Sequence, residues 1–466
     1  MKVLLVNPPA PPTIQGILPA RVELSRGAFP PLGLLYLAAA LRRALPEVKL
    51  RVIDAPASGE SADDIGRLAA DEDFDLVGLT VLTFTLLGAM ETAKAIKRHR
   101  PGTTVIAGGP HPHLYPAETL ALGSFDLVLR GEAEETFPEL IRRKIQGLDL
   151  AGIPGLGETP CAELIQNLDA VPFPARDLVA APDYYSVLSG LRPITTMISS
   201  RGCPYHCIFC DRPHLGKIFR GRSAGNVVEE MEVCQGLGLR EVVFYDDNLT
   251  HDRDRVRETA ELILERKLNL CWDARARVGD LDAETYRLCA RAGLKRIHFG
   301  VESGDPDLLR SLRKGITLDQ AKQAFAEARA AGIETLAYFM VGIPGETEAS
   351  LQKTLEFARE LDPDYIHFSI LIAFPGTPVY ALGQERGVIS GDPWREFARE
   401  PRPDFKPPLW IEHLSEDQLL NGLGKLYRRF YLRSGYLWRR ALGIRSLQAL
   451  RNNLRMGFSI LRLRSS

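Results

Sequence analysis

The sequence predicts an α/β protein of two domains, a Rossmann-like (flavodoxin-like) parallel sheet followed by a partial (β/α)6 TIM barrel, with a basic, mostly helical C-terminal region. Its 466 residues exceed what one hydrophobic core usually supports. Short β-branched runs alternate with helical patterns in two separate stretches, and a segment rich in Gly and Pro lies between them. We therefore predict a first domain at 1–150, a linker at 151–190, a barrel at 191–385 and the C-terminal region at 386–466.

The first stretch has the pattern of βαβ units that build a parallel sheet. The predicted strands are 2–6, 50–53, 76–80, 105–107 and 127–129, and the predicted helices between them are 32–43, 88–98 and 136–144. Such a sheet binds ligands at the carboxyl ends of its strands, where the loops NPPAPP, TVLTF, GGPHPH and RGEAEE lie. Dinucleotide binding is disfavoured, because Asn7-Pro8-Pro9 stands where a G-x-G-x-x-G motif would follow the first strand.

The second stretch repeats the alternation six times, which predicts most of a barrel. The predicted strands are 194–199, 241–245, 270–275, 296–301, 335–341 and 365–371, with helices such as 224–237, 253–266 and 318–331. Catalytic groups in such barrels come from the carboxyl ends of the strands. Beyond residue 375 the pattern loosens.

Composition and charge predict a cytoplasmic protein. The apolar run at residues 3–6 is too short for a signal-peptide core, and the uncharged stretch at 27–41 is too short to span a bilayer. The net charge is −1, yet residues 418–466 contain 11 Lys or Arg and no Asp or Glu. For LYRRFYLRSGYLWRR, at 426–440, we predict a helix packed on the barrel with its arginines in water, and peripheral membrane contact is the alternative. No nucleic acid partner is expected.

Three cysteines are concentrated in SSRGCPYHCIFCDRPHLG, directly after the first barrel strand. Cys203, Cys207 and Cys210 have the spacing C-x3-C-x2-C. In a reducing compartment such thiols more often bind metal or react than form a disulfide. A cubic four-iron cluster normally takes four thiolates, so three leave one iron open to a small molecule. A zinc site completed by His206 or His214 and buried thiols without metal are the alternatives.

This spacing, with Phe209 just before the last cysteine, resembles the signature of the radical S-adenosylmethionine superfamily. The resemblance implies a [4Fe-4S] cluster whose open iron chelates the amino and carboxylate groups of S-adenosyl-L-methionine. It also implies that the reduced cluster cleaves this molecule to a 5′-deoxyadenosyl radical. An external one-electron reductant of the flavodoxin or ferredoxin type is then expected as a partner.

The resemblance continues along the other barrel strands. YDDN ends the second strand, where the family holds the methionyl ammonium; GVESGD matches the ribose-contacting position, and GIPGET resembles the adenine-side glycine motif. The implied S-adenosylmethionine contacts are Tyr245, Asp246, Asp247, Asn248, Glu302, Ser303, Gly342 and Gly345. Taken alone, an acidic strand end is more often a turn or a helix cap. Arg275 and Arg277 could pair with the methionyl carboxylate or be plain surface charges.

Together with MKVLLVNPP, VGLTVLTF, GGPHPH and VLRGEAEETF, the barrel resembles the cobalamin-dependent radical enzymes, the group that includes the anaerobic magnesium-protoporphyrin ester cyclase. The resemblance covers roughly residues 1–440. A corrin needs a floor of small residues, which Gly108-Gly109-Pro110 offers. The implied cobalamin contacts are Pro9, Thr80, Thr83, Gly108, Gly109, Pro110, His111, Arg130, Gly131 and Glu132.

The first domain departs from many cobalamin domains at the cobalt ligand. It has no D-x-H-x-x-G motif, which implies cobalamin bound without a protein histidine below cobalt. His111 and His113 could face the corrin or solvent. The other four cysteines are scattered, and we predict that most are buried apolar groups. None precedes Cys161, which argues against methylthiolation, because relatives that attach sulfur carry cysteines in the first domain.

The resemblance implies a methyltransferase that acts on an unactivated carbon through the 5′-deoxyadenosyl radical and methylcobalamin. Its substrate is expected to be a small molecule, and an apolar one would suit membrane contact. An oxidative cyclase or rearrangement enzyme and a non-catalytic corrinoid or iron–sulfur sensor or carrier are the alternatives. The sequence singles out no catalytic proton acceptor.

Overall fold

Two parallel β-sheets organise the protein, whose computed structural model describes residues 1–9, 27–210 and 215–442. The strands are β1 (Lys2–Asn7), β2 (Lys49–Asp54), β3 (Leu76–Thr80), β4 (Thr104–Gly108), β5 (Leu127–Leu129), β6 (Ile194–Met197), β7 (Ser200–Arg201), β8 (Arg220–Gly221), β9 (Glu241–Phe244), β10 (Cys271–Ala276), β11 (Leu294–Glu302), β12 (Glu334–Val341) and β13 (Tyr365–Ile370). All eleven predicted strands are confirmed to within two residues at each end.

Helices connect most of these strands. They are α1 (Leu32–Ala44), α2 (Ala55–Ser58), α3 (Ala62–Asp71), α4 (Leu86–His99), α5 (Pro110–Leu114), α6 (Pro116–Ala121), α7 (Thr136–Gln146), α8 (Ala224–Gly236), α9 (Arg253–Glu265), α10 (Ala283–Arg291), α11 (Pro306–Ser311), α12 (Leu318–Ala330), α13 (Glu348–Leu361), α14 (Pro378–Glu385), α15 (Pro393–Arg399), α16 (Glu416–Tyr431) and α17 (Ser434–Leu442). Helix α3 was not predicted, although Ser61 and Asp64 form a capping box at its start.

The first sheet has the strand order β2-β1-β3-β4-β5, and every pair in it is parallel. Alternate residues of β1 enter two separate cores: Val3 and Leu5 pack with α1 and α7, whereas Leu4 and Val6 pack with α3 and α4. The strand is therefore buried on both faces, which explains its uninterrupted apolar run. This is the flavodoxin-like order that the sequence predicts.

The second sheet is a partial barrel with the order β13-β12-β11-β10-β9-β6, again entirely parallel. Ile297, Phe299 and Val301 of β11 enter the core beneath the outer helices. Arg296 and His298 alternate with them, so they face the lumen on the concave side. The predicted six-stranded partial barrel is thus confirmed.

The linker closes the lumen at the amino ends of the strands. The Ser189 hydroxyl donates a hydrogen bond to Glu241 at the start of β9, and Arg296 of β11 donates one to the Leu188 carbonyl. These contacts place the linker across the end of the barrel that is opposite the cysteine loop.

The C-terminal region covers the exposed edge of β13. The hydroxyls of Tyr427 and Tyr431 each bond both backbone groups of one strand residue, at 3.0 Å, and Tyr436 donates to the Asp364 carbonyl at 2.9 Å. An open strand edge is thereby protected from pairing with another chain. The predicted packing of this segment on the barrel is confirmed for the side chains described, up to residue 438, but two helices, α16 and α17, take the place of the single predicted one. Residues 443–466 lie outside the described residues. Within the described ranges, no helix has the length and apolar character that crossing a bilayer requires.

Candidate cofactor-binding site

The three cysteines lie on a loop that the short antiparallel pair β7–β8 closes at its base, immediately beyond β6. Cys203 and Cys207 are buried, and Cys210 is partly exposed. The Ile208 N–H donates to the Leu312 carbonyl at 3.0 Å, and the Ile208 carbonyl accepts from Val379 N–H at 3.0 Å. The loop is therefore held against the barrel at the carboxyl ends of its strands.

The donor set fits a four-iron cluster that leaves one iron open. None of the seven cysteines, all of them in described residues, is in a disulfide. In the described part of the chain, no three His, Cys, Asp or Glu side chains converge closely enough to hold one metal ion. A cubic cluster does not require that convergence, because each thiolate binds a different iron. His214 of the zinc alternative lies outside the described residues.

Asp246 holds the base of the cysteine loop. Its fully buried carboxylate accepts hydrogen bonds from Ser199 N–H at 2.8 Å, from the Ser199 hydroxyl at 2.6 Å and from the Ser200 hydroxyl. Burial raises the pKa of Asp246, while the charge of Arg255 and these hydrogen bonds oppose the rise. The carboxylate thus joins the end of β9 to the start of the loop, and its predicted contact with S-adenosylmethionine stays a prediction.

The other YDDN residues lie around the loop at the same edge. The Tyr245 ring packs edge-on against Phe29, with centroids 5.5 Å apart. Asn248 donates to Asp280 at 2.9 Å, and the Tyr205 hydroxyl of the loop reaches the other Asp280 oxygen at 3.4 Å. Asp247 is exposed at the strand end. These residues line the region where the methionyl group is predicted to bind.

The two arginines of β10 and its following loop differ in their surroundings. The Arg277 guanidinium lies 3.9 Å from the centre of the Tyr205 ring and donates to the Gly315 carbonyl at 2.7 Å, so it braces the cysteine loop. Arg275 lies 4.2 Å from the centre of the Tyr245 ring. No carboxylate of the described residues forms an ion pair with Arg275, which leaves its charge for a bound anion.

Glu302 forms a buried ion pair at the mouth of the lumen. Its carboxylate lies 2.6 Å from the Lys314 ammonium, which in turn lies 5.9 Å from the centre of the Phe209 ring beside Cys210. The backbone φ of Glu302 is +71°, a conformation that costs a non-glycine residue about 1–3 kcal/mol. Ser303 is fully buried, and its hydroxyl bonds Thr354 and Asp305 N–H instead of facing the lumen.

The GIPGET turn is built around a buried carboxylate. Gly342 and Gly345 have φ of +77° and +83°, which glycine adopts without strain. The Glu346 carboxylate accepts from Gly342 N–H and, at 3.3 Å, from Ile343 N–H. Burial raises the pKa of Glu346 to about 7, although these two backbone hydrogen bonds oppose the rise. The predicted contact of Gly342 and Gly345 with the adenine side of S-adenosylmethionine stays a prediction.

Replacing Glu346 by Gln should change how stability depends on pH. The folded protein binds a proton at Glu346 more tightly than the unfolded chain, so its free energy of unfolding falls as pH rises from about 4.5 to about 7. From pH 5 to pH 8, E346Q should gain about 2–3 kcal/mol relative to the natural protein. Anaerobic chemical denaturation at both pH values measures this, and an unchanged difference between the two proteins would contradict it.

A chain of polar side chains crosses the lumen below this mouth. His298 Nδ1 lies 3.0 Å from the Tyr338 hydroxyl, and His298 Nε2 lies 3.6 Å from Asp273 Oδ2. Burial raises the pKa of Tyr338, and the nearby charge of Arg275 opposes this. These residues were not predicted, although polar groups at alternate positions of otherwise apolar barrel strands are a visible signal of a functional lumen.

The loops at the carboxyl edge of the first sheet form the predicted corrin floor. Pro9 follows β1, Thr80 ends β3, Gly108 ends β4, and Pro110 begins α5. A Cβ at Gly109, whose φ is +110°, would approach the Val81 carbonyl oxygen to 3.0 Å, so only glycine fits there.

His111 is fully buried in this floor, and its Nδ1 lies 3.1 Å from the Thr83 hydroxyl. Burial lowers the pKa of His111 to about 4, so the ring is neutral at physiological pH. His113, in contrast, accepts a hydrogen bond from Gly131 N–H at 3.3 Å and thereby joins the GGPHPH and RGEAEE loops. The Arg130 side chain donates to the Thr159 carbonyl at 2.7 Å.

Glu132 connects the first domain to the cysteine loop. Its carboxylate accepts from Arg201 at 2.9 Å, from Arg220 at 2.8 and 2.9 Å, and from Ile165 N–H at 2.8 Å. Burial disfavours the charge, but hydrogen bonds from Arg220 and the charge of Arg201 bring the pKa of Glu132 below its usual value. In this structure the carboxylate of Glu132 binds the two arginines. Its predicted contact with cobalamin stays a prediction.

These features define a class of two-domain enzyme in which loops of a Rossmann-like sheet meet a three-cysteine loop on a partial TIM barrel. Residues 197–358 match the family model of the radical SAM superfamily, and residues 20–141 match that of the B12 binding domain. The chain belongs to the cobalamin-dependent radical S-adenosylmethionine enzymes. Its cofactors are a [4Fe-4S] cluster, S-adenosylmethionine and cobalamin.

Three similar proteins illustrate the range of this family. The chain is 33% identical to an uncharacterised methyltransferase of Pyrococcus horikoshii, over 93% of each chain. It is 27% identical to the anaerobic magnesium-protoporphyrin IX monomethyl ester cyclase of Cereibacter sphaeroides, over 89% of this chain and 69% of that one. The cobalamin-dependent S-adenosylmethionine radical enzyme OxsB shares its fold with a TM-score of 0.74 at 18% identity, over 98% of this chain and 71% of that chain.

Proposed function

We propose that this enzyme is a C-methyltransferase that acts on an unactivated carbon of a small molecule. The observation that carries the proposal is the presence of a radical SAM domain and a B12 binding domain in one chain, joined by the contact of Glu132 with Arg201 and Arg220 at the base of the cysteine loop. When bound, the cluster and S-adenosylmethionine supply a radical that removes a hydrogen atom, and cobalamin supplies the methyl group. Identity to a methyltransferase along nearly the whole chain supports the same reaction.

The side chains of the chain itself orient the substrate and exclude water. The linker closes one end of the lumen through Ser189 and Leu188, and the cysteine loop stands at the other. Arg275, His298 and Tyr338 present a cation and hydrogen-bonding groups to the space between them. A wholly apolar substrate would leave the partly buried guanidinium of Arg275 without a counter-charge among the described residues, which is costly. We therefore propose a substrate that carries a polar or anionic group beside the carbon that is methylated.

Two partners complete the proposal. A flavodoxin or ferredoxin is the proposed source of the single electron that the cluster needs. Peripheral membrane contact through the basic tail stays a prediction; its exposed apolar side chains in the described residues include Trp438, which is 70% exposed in α17, Leu437 and Leu432.

A second candidate function is oxidative ring formation or rearrangement. The observation that favours it is the 27% identity to the magnesium-protoporphyrin ester cyclase over 89% of this chain. In that reaction cobalamin would handle electrons or oxygen, and no methyl group would enter the product.

Methyl-labelled S-adenosylmethionine distinguishes the two. The protein is reconstituted anaerobically with iron, sulfide and cobalamin, reduced, and assayed for 5′-deoxyadenosine and for label on the corrin. Both signals are expected for the methyltransferase. Deoxyadenosine without methyl label would favour the cyclase, and neither signal from protein that holds cluster and corrin would favour a sensor or carrier.

A further inference from the structure

The base of the cysteine loop places two arginines side by side. Arg201 and Arg220 are register partners in the antiparallel pair β7–β8, which closes the loop at residues 202–219. Like charges opposite each other on paired strands repel. A Cβ at Gly202 would collide with the Ile218 carbonyl oxygen, so the two ends of the loop approach each other closely next to this arginine pair. The loop base therefore depends on negative charge from outside the barrel.

In the described part of the chain, the carboxylates that pair with these two arginines belong to the RGEAEE loop of the first domain. Glu132 shares its carboxylate between Arg201 and Arg220, and Glu134 pairs with Arg201 alone. The Arg201 guanidinium also lies 5.4 Å from the centre of the Tyr36 ring in α1. Within the described residues, the side chains of Glu132, Arg201 and Arg220 are only 4%, 8% and 3% exposed. Two carboxylates thus balance two guanidiniums in a buried contact between the domains.

The same loop is part of the predicted corrin floor. Gly131, whose φ is +79°, precedes Glu132 directly and donates its N–H to His113 of the GGPHPH loop. The contact with the GGPHPH loop and the carboxylate that holds the cysteine loop are therefore on adjacent residues, one peptide unit apart.

We propose that Glu132 is a positioning residue that couples corrin binding to the cysteine loop. Glu132, at the edge of the first sheet, forms ion pairs with Arg201 and Arg220 and so fixes the base of the cysteine loop. Binding of corrin therefore favours the conformation of the cysteine loop that binds the cluster, and binding of the cluster favours the conformation of the first domain that binds corrin. The proposal rests on the two cofactors and not on the proposed methyl transfer, because it is tested by binding. Coupling of this kind is reciprocal, so it can be measured from the corrin side.

The experiment compares the affinity of the full chain for aquacobalamin in two states, without the cluster and with the cluster plus S-adenosylmethionine. Equilibrium dialysis under anaerobic conditions gives both dissociation constants. We expect the natural protein to bind aquacobalamin about fivefold or more tightly when the cluster site is filled. In E132Q, which keeps the side-chain shape but removes the charge, the two affinities should agree within about twofold.

Glu139→Gln is the matched control, because Glu139 is a partly exposed residue of α7 in the same domain and pairs with Arg142 and Arg143. It should keep the coupling of the natural protein. Circular dichroism and iron content verify folding and cluster loading, and the electron paramagnetic resonance signal of the reduced cluster should change with corrin in the natural protein but not in E132Q.

Three results would overturn the proposal. The first is equal affinity of the natural protein for aquacobalamin in both states, a result that can be obtained without any variant. E132Q could retain the natural ratio. Should E132Q fail to load the cluster, Arg220→Lys takes its place, because lysine keeps the charge but cannot form the two-point contact with Glu132. An undiminished ratio in R220K would be the third contradicting result.

Discussion

Cys207→Ala should abolish both the iron–sulfur cluster and the cleavage of S-adenosylmethionine. Cys207 is the middle cysteine of the three, buried in a loop that is pinned to the barrel at Ile208. With two thiolates left, the loop cannot hold a cluster that normally requires at least three protein ligands and one site for substrate. Iron content should fall from about four atoms per chain to background, and deoxyadenosine formation should disappear with it.

Cys271→Ala is the control for this loss. Cys271 is a half-buried residue at the start of β10, at the opposite end of the strands from the loop. Its removal should leave iron content and deoxyadenosine formation near those of the natural protein. Retention of the iron by C207A, or its loss from C271A, would show that the cluster is not held by the predicted loop.

Asp246→Ala should have the second largest effect, on both stability and cluster retention. The substitution leaves the Ser199 N–H and two serine hydroxyls without their buried acceptor, and it removes a carboxylate whose charge interacts with that of Arg255. Each buried donor left without an acceptor costs about 1–3 kcal/mol. The midpoint of thermal unfolding should therefore fall by about 10 °C.

Iron content should fall along with the unfolding temperature, because Asp246 holds the base of the cysteine loop. Glu258→Ala is the matched control, since Glu258 is an exposed acid on α9 of the same domain. It should change the midpoint by about 1–2 °C at most. A normal midpoint with normal iron content in D246A would mean that Ser199 and Ser200 do not depend on this carboxylate.

The strands and the cysteine loop were predictable because their signals are local. Most strands of both sheets show their β-branched or apolar pattern within a few residues, and C-x3-C-x2-C spans only eight. The C-terminal helix was likewise predicted from its own aromatic and basic pattern. The use of its tyrosine hydroxyls to cap the edge of β13 was not predictable, because β13 lies about 60 residues earlier in the chain.

Several predicted contacts point to partners that the sequence does not show. Asp246 was assigned to S-adenosylmethionine by its place after a strand, and the structure engages its carboxylate with the two serines that precede the loop. Glu132 was assigned to the corrin, and the structure directs it to arginines 69 and 88 residues away. The Asp273–His298–Tyr338 chain in the lumen was not predicted at all, because its members come from three strands.

The sequence by itself determined the two α/β domains, the positions of their strands along the chain and the spacing of the thiolates, because periodicity and spacing act over short stretches of chain. Only the tertiary structure decided which carboxylate each cation pairs with, and thus how the corrin domain meets the cysteine loop. A buried charge needs a partner at hydrogen-bond distance, and that partner is chosen by how the sheets and loops pack, regardless of separation along the chain.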